Sequence, residues 1–183
     1  MKYKELFLKG AYIIDLDLFE DNRGWFARTF DKDEFNKAGL NGEWLQLNHS
    51  FNINAGTLRG MHYQLPPFSE IKLVRCIAGS VYDVIIDLRK ESDTYLKWYG
   101  IELSAENKKM IYIPAGFAHG FQTKTDNAEL IYHHSQMYQL GFEKGIKYDD
   151  AVINIQWPGE VINISKKDEE YPYLTNEFEG LNF

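Results

Sequence analysis

Four side chains spread along this sequence carry groups that would together move a proton beside a carbonyl: an imidazole, an ammonium, a phenol and a carboxylate. The histidine stands in Gly56-Thr-Leu-Arg-Gly-Met-His62-Tyr-Gln64 and the lysine in Lys72-Leu-Val-Arg75-Cys76. The tyrosine belongs to Ala128-Glu-Leu-Ile-Tyr132-His-His-Ser135 and the aspartate to Ser165-Lys-Lys-Asp168. His62 could remove a carbon-bound proton, Lys72 could stabilise the enolate oxygen, and Tyr132 could return a proton to the opposite face. Each also has an ordinary structural role open to it. His62 could be an interior histidine bonded to a carbonyl, Lys72 a snorkelling surface lysine, Tyr132 a packing residue of a strand, and Asp168 a solvated charge. Strand alternation places Leu58, His62 and Gln64 on one face, and Lys72, Val74 and Cys76 on one face of the next strand. A lysine turned inward among such residues loses several kcal/mol of hydration unless it is paired.

A second cluster, Ile113-Pro-Ala-Gly-Phe-Ala-His119-Gly-Phe121, sets a histidine at a strand start after a rigid turn. Its Pro-x-Gly-x-x-His spacing resembles the second sequence motif of the cupin superfamily, and Gly56 followed six residues on by His62 resembles the first. The metal-bearing form of that first motif needs His-x-His and a nearby glutamate, so that three or four ligands converge on a divalent ion. Here Gln64 stands in place of the second histidine, and no metal is expected.

These residues must be held by something, and the surrounding sequence reads mostly as strands. Short apolar or alternating runs occur at Ala11–Leu16, Trp25–Phe30, Trp44–Asn48, Thr57–Tyr63, Ile71–Ile77, Val81–Leu88, Lys97–Leu103, Met110–Pro114, Ala128–Ser135 and Ile153–Trp157. Turn formers separate them, among them Asp21-Asn-Arg-Gly24, Asn54-Ala-Gly56, Pro66-Pro67 and Ala78-Gly79. Regular short strands so punctuated indicate an all-β sandwich or barrel. One short surface helix is expected, opened by a capping box at Asp31-Lys-Asp-Glu34 and stopped at Gly39. The tail from Ser165 is too apolar around Tyr171-Pro-Tyr173 to be disordered and is expected to fold back onto the body.

The chain has 183 residues, the length of one domain, and residues 1–183 are read as a single unit. A net charge of −7 argues against nucleic acid, which needs a basic footprint. The lone Cys76 and the charges interrupting Met1–Phe19 point to a reducing, cytoplasmic setting without a secretory leader. No uncharged apolar run approaches the ~18 residues of a membrane span. Aromatic residues, 15% of the chain, are in excess.

The motifs taken in order resemble the dTDP-4-dehydrorhamnose 3,5-epimerase family. They are Asp21-Asn-Arg-Gly24, Asn48-His-Ser50, Gly56 to Gln64, Lys72 to Cys76, Asp87-Leu-Arg-Lys-Glu-Ser92, Trp98, Leu103-Ser-Ala-Glu-Asn107 and Ile113 to Phe121. The resemblance implies a cupin-type double-stranded β-helix, a jelly-roll barrel with short peripheral helices. It also implies a homodimer with exchanged N-terminal strands. The activity implied is epimerisation of a nucleotide-linked 4-keto-6-deoxy sugar without metal or organic cofactor, in the making of deoxysugar precursors such as dTDP-rhamnose for lipopolysaccharide O-antigen. On that resemblance His62 is the general base, held by Asp168; Tyr132 is the acid on the other face and Lys72 the enolate stabiliser. Arg59 meets the diphosphate, Gln46 and Asn48 lie in the nucleotide-contacting segment, and His119, Tyr138 and Glu143 match pocket positions. Arg23 and Phe26 fall where the family reaches toward the partner's nucleotide.

The chain departs from the family pattern at Leu47 and Arg28, where acidic residues are usual, and in Gln139-Leu-Gly-Phe-Glu143. It departs again at Tyr148 and Ala151, which replace an expected tryptophan and proline. Leu47 and Arg28 are expected to change polarity around the base and sugar. The same residues would serve a single-site epimerase, at C3 or C5. Readings from other classes are a non-catalytic sugar-nucleotide binding module, stacking sugars on its aromatics, and a metal-dependent cupin oxygenase.

Overall fold

The computed structural model describes residues 1–175 and 177–182. Strands β1 (Lys2–Glu5) and β2 (Tyr12–Asp15) begin a six-stranded sheet. It is completed in space by β10 (Met110–Ile113), β7 (Lys72–Ala78), β12 (Ala128–His134) and β5 (Gln46–Asn52), in that order. The second sheet runs β13 (Glu143–Gly145), β6 (Thr57–Gln64), β11 (Phe117–Thr123), β8 (Ser80–Asp87), β9 (Trp98–Ser104). A short β14 (Asn163–Ile164) lies parallel to β6. Among the central strands β5, β7, β10 and β12 fall in one sheet and β6, β8, β9 and β11 in the other, the alternation of a jelly roll. The cupin-type all-β barrel expected from the sequence is the fold observed.

Three apolar clusters follow from side-chain alternation. Val74, Cys76, Ile111 and Leu130 of the first sheet meet Val81, Ile85, Phe117 and Phe121 of the second inside the barrel. On the outer face of the first sheet, Phe35 of helix α1 (Lys32–Lys37) packs on Leu73, Met110 and Tyr112. On the outer face of the second, Met61, Val84, Ile86 and Ala118 are covered by Ile146, Ile153, Ile155 and Leu181 of the C-terminal third. Many of the excess aromatics belong to these outer layers: Tyr3, Phe30, Trp44 and Tyr112 all stack on or beside Phe35.

Several expected elements differ from those observed. Phe117–Thr123 is a full strand, unforeseen beyond its start because Gly120 and His119 interrupt its apolar pattern. Ile153–Trp157 is not a strand: Ile153 and Ile155 are buried, but by packing side chains onto the outside of a sheet rather than by joining a ladder. The run from Trp25 ends its ladder at Phe26, in hairpin β3 (Phe19–Asp21) and β4 (Gly24–Phe26), and the run from Trp44 continues to Asn52. Helix α1 starts as expected, Asp31 accepting from the backbone N–H groups of Asp33 and Glu34. Its capping box is only half formed, because Glu34 turns its carboxylate to the Met1 ammonium at 3.3 Å. The tail does fold back: helix α2 (Lys166–Glu169), capped by Ser165, buries Asp168.

One irregularity decides which residues face the interior. Opposite β11, Arg59 pairs with Phe121 and His62 with His119, so β6 spends three steps where β11 spends two. This β-bulge reverses the alternation of β6. Arg59 therefore shares the inner face with His62, whereas Leu58, expected beside His62, lies on the face of its neighbour Gln122. The bulge needs glycine. Gly60 has φ +138°, and a Cβ there would sit 2.6 Å from the Gly120 Cα. Gly60→Ala is expected to cost at least about 2 kcal/mol, read as a lowered midpoint of urea unfolding.

Candidate active site

The interior of the barrel opens into two adjoining cavities of about 230 and 260 Å3 that share Asn48, His62, Lys72 and His134. The second sheet contributes Arg59, His62, His119 and Phe121 to this space. The first contributes Asn48, Ser50, Lys72, Tyr132 and His134. Period 2 accounts for the latter set: Tyr132 stands opposite Val74 and Asn48, and His134 opposite Lys72 and Gln46, so all point the same way.

His62 Nε2 lies 2.8 Å from Asp168 Oδ1, and the backbone N–H of Gly60 in the bulge donates to Oδ2 at 3.2 Å. Burial pushes the Asp168 carboxyl up, but the hydrogen bonds from His62 and the Gly60 amide help to outweigh it and hold it below its ordinary value. An ionised carboxylate only accepts, so His62 carries its proton on Nε2 and presents Nδ1 as the basic atom. The Tyr171 ring meets the His62 ring edge to face at 5.7 Å.

Across the gap the Tyr132 hydroxyl lies 2.9 Å from Ser50 Oγ. Burial drives its pKa far up, keeping it a proton-bearing phenol. His119, 6.3 Å from the Tyr132 ring, lies 2.9 Å from a carboxyl oxygen of buried Asp83. Burial lowers the His119 pKa and favours its neutral form. Lys72 is buried rather than snorkelling, its Nζ 3.1 Å from Glu70 Oε1.

The residues singled out from the sequence fall into three groups. His62, Lys72, Tyr132, Asp168, Arg59, Asn48 and His119 are brought together in the interior. Gln46, Tyr138 and Glu143 border its mouth, with the Tyr138 hydroxyl donating to Glu143 at 2.7 Å. Arg23 and Phe26 lie apart on the β3–β4 hairpin, where Arg23 forks onto Asp21. Leu47 and Arg28 do not line these two cavities. Leu47 points outward between inward Gln46 and Asn48, and Arg28 lies 3.7 Å from Asp31 on the surface. For Asp83, Ser50, His134 and Tyr171 nothing local in the sequence shows what they oppose, whereas Glu70 stands two residues before Lys72 and alternation alone is a signal that could have paired them. Gln64, in the place of a second metal ligand, uses its amide on Phe68 O and on the N–H of Gln139. Among the described residues no three His, Cys, Asp or Glu side chains converge as for a metal.

The fold and this interior are those of a cupin-type isomerase. The chain belongs to the dTDP-4-dehydrorhamnose 3,5-epimerase family, whose model matches residues 5–176. It is 46% identical to the dTDP-4-dehydrorhamnose 3,5-epimerase of Shigella flexneri over 88% of this chain and 89% of that one. A crystal structure of the enzyme of that name from Elizabethkingia anophelis superposes with a TM-score of 0.91 at 40% identity, covering 94% of this chain and 96% of the other. The dTDP-6-deoxy-D-glucose-3,5-epimerase from Legionella pneumophila, solved in complex with dTDP-4-keto-L-rhamnose, superposes at 0.92 with 33% identity, over 100% and 98% of the two chains.

Proposed function

We propose that this protein epimerises a dTDP-linked 4-keto-6-deoxy sugar at C3 and C5, as one catalytic domain acting in the cytoplasm. The observation that carries the reading is His62 of the second sheet, paired with Asp168 of helix α2, across one cavity from a proton-bearing Tyr132 of the first sheet, with Lys72 lining the same space. His62 Nδ1 takes the proton from the carbon beside the ketone. The electron pair moves into the C=C bond of an enolate, whose oxygen Lys72 stabilises, and the Tyr132 hydroxyl delivers a proton to the carbon from the opposite face. A proton beside a ketone is roughly ten pK units less acidic than imidazolium, so the enolate lies about 14 kcal/mol uphill unless stabilised. A preorganised ammonium in a water-poor interior lowers that barrier. Arg59, its Nε donating to Asn52 Oδ1 at 2.7 Å, would meet the diphosphate.

The functional unit in this reading is a homodimer with exchanged N-terminal strands. Phe19 and Phe26 are 66% and 65% exposed on the β3–β4 hairpin, and edge strand β5 turns Leu47 and Phe51 outward beside Leu45 and Ile53. Such an apolar surface suits a second copy, whose cavity Arg23 and Phe26 would reach. Incubation with dTDP-, CDP-, GDP- and UDP-linked 4-keto sugars in deuterated water, followed by NMR, is expected to show deuterium at both carbons flanking the ketone of the dTDP sugar. Inverted label at one carbon only would make the enzyme a single-site epimerase. No incorporation into any substrate would sink the reading.

A further inference from the structure

A line of hydrogen bonds runs from the mouth of the site to Lys72, and its polarity can be deduced link by link. The backbone N–H of Tyr138, which can only donate, gives its proton to Gln46 Oε1 at 3.0 Å. This places the Gln46 Nε2 group toward Asn48 Oδ1, also at 3.0 Å. Asn48 must then turn its Nδ2 to His134 Nε2, 3.2 Å away, which accepts and so carries no proton. The His134 proton is on Nδ1, 2.8 Å from Glu70 Oε2. The other Glu70 oxygen faces the Lys72 ammonium at 3.1 Å. No link runs against another, because the line begins at an obligate donor and ends at a carboxylate held between two donors. Burial alone would raise the Glu70 carboxyl, but the Lys72 charge and the hydrogen bond from His134 hold it at about 2.

Lys72 has a long flexible stem, and an ammonium that is to meet a developing enolate must be held in place before the charge forms. Nothing on β7 holds it. Glu70 does, and Glu70 is itself fixed by His134, whose ring is set by Asn48 of β5, oriented in turn by Gln46 and the backbone N–H of Tyr138. We propose that Glu70 and His134 are positioning residues for Lys72, and that through them the mouth of the site, where the substrate's nucleotide end would contact Gln46 and Asn48, fixes the lysine. This rests on the epimerase reading given above.

Two measurements test it. In protein labelled with 15N-histidine, His134 is expected as the Nδ1–H tautomer, with Nε2 resonating as an unprotonated acceptor. A proton on Nε2 would overturn the deduced line, and this measurement needs no variant. In the deuterium wash-in assay, Glu70→Gln is expected to lower kcat roughly 10- to 100-fold with KM within about threefold, less than the ~10²–10³ of removing a direct electrostatic group. In a Lys72→Met background the same change is expected to cost almost nothing further, since Glu70 acts through the lysine. A purely structural role would instead subtract the same factor in both backgrounds, and that result overturns the proposal. Wild-type exchange together with parental kcat in Glu70→Gln overturns the positioning role alone. Absence of exchange in the wild-type protein overturns the epimerase reading and the role built on it.

Discussion

His62→Gln is expected to abolish solvent deuterium incorporation at both carbons beside the ketone, with kcat down by about 10²–10⁴ and folding unimpaired. The choice of glutamine follows from the geometry. Its amide nitrogen can occupy the place of His62 Nε2, which lies 2.8 Å from Asp168 Oδ1, so the buried carboxylate keeps a donor. What disappears is Nδ1, the one nitrogen of the ring left free to accept a proton, and an amide is not a base. The His62 side chain is 41% exposed toward the cavity, so shortening its ring opens no hole in the core. Thermal unfolding within a few degrees of the parent, with KM little changed, would separate lost chemistry from lost structure. Retained exchange at both carbons would mean that some other group is the base.

The sequence made the chemistry legible before the geometry. His62, Lys72, Tyr132 and Asp168 could be named because each is a reactive type standing in a recognisable run, and alternation correctly put Lys72, Val74 and Cys76 on one inner face. Alternation failed at Arg59 for a definite reason. A bulge adds one residue to β6, and the only local trace of it is Gly60, a glycine within a strand pattern. The partners were hidden for a different reason. That Glu70 would meet His134, or that Asp83 would meet His119, depends on which strands pair and in what register. Those contacts join residues 64 and 36 positions apart in the chain. Leu47 faces away from the cavity, because Gln46 and Asn48 on either side take the inner face, an orientation that alternation along β5 follows.

Tyr132→Phe should behave differently from the histidine variant, and the difference is the sharpest test of a two-sided mechanism. Phenylalanine keeps the ring in its buried place beside His119 and Phe121. It removes only the hydroxyl and its contact with Ser50 Oγ, a loss of about 1 kcal/mol. Abstraction does not require that hydroxyl: His62 stands on the opposite sheet and can still form the enolate against Lys72. The enolate, however, can now be protonated only from the side of His62. Deuterium is therefore expected to enter with retained configuration, while net epimer formation falls by about 10²–10⁴. The starting sugar would come back labelled and uninverted, where His62→Gln returns it unlabelled. Equal loss of exchange and inversion in Tyr132→Phe would instead make the phenol part of the abstraction step. The structure opposes that outcome, since burial drives the Tyr132 pKa far up and leaves it a donor, not a base, at neutral pH.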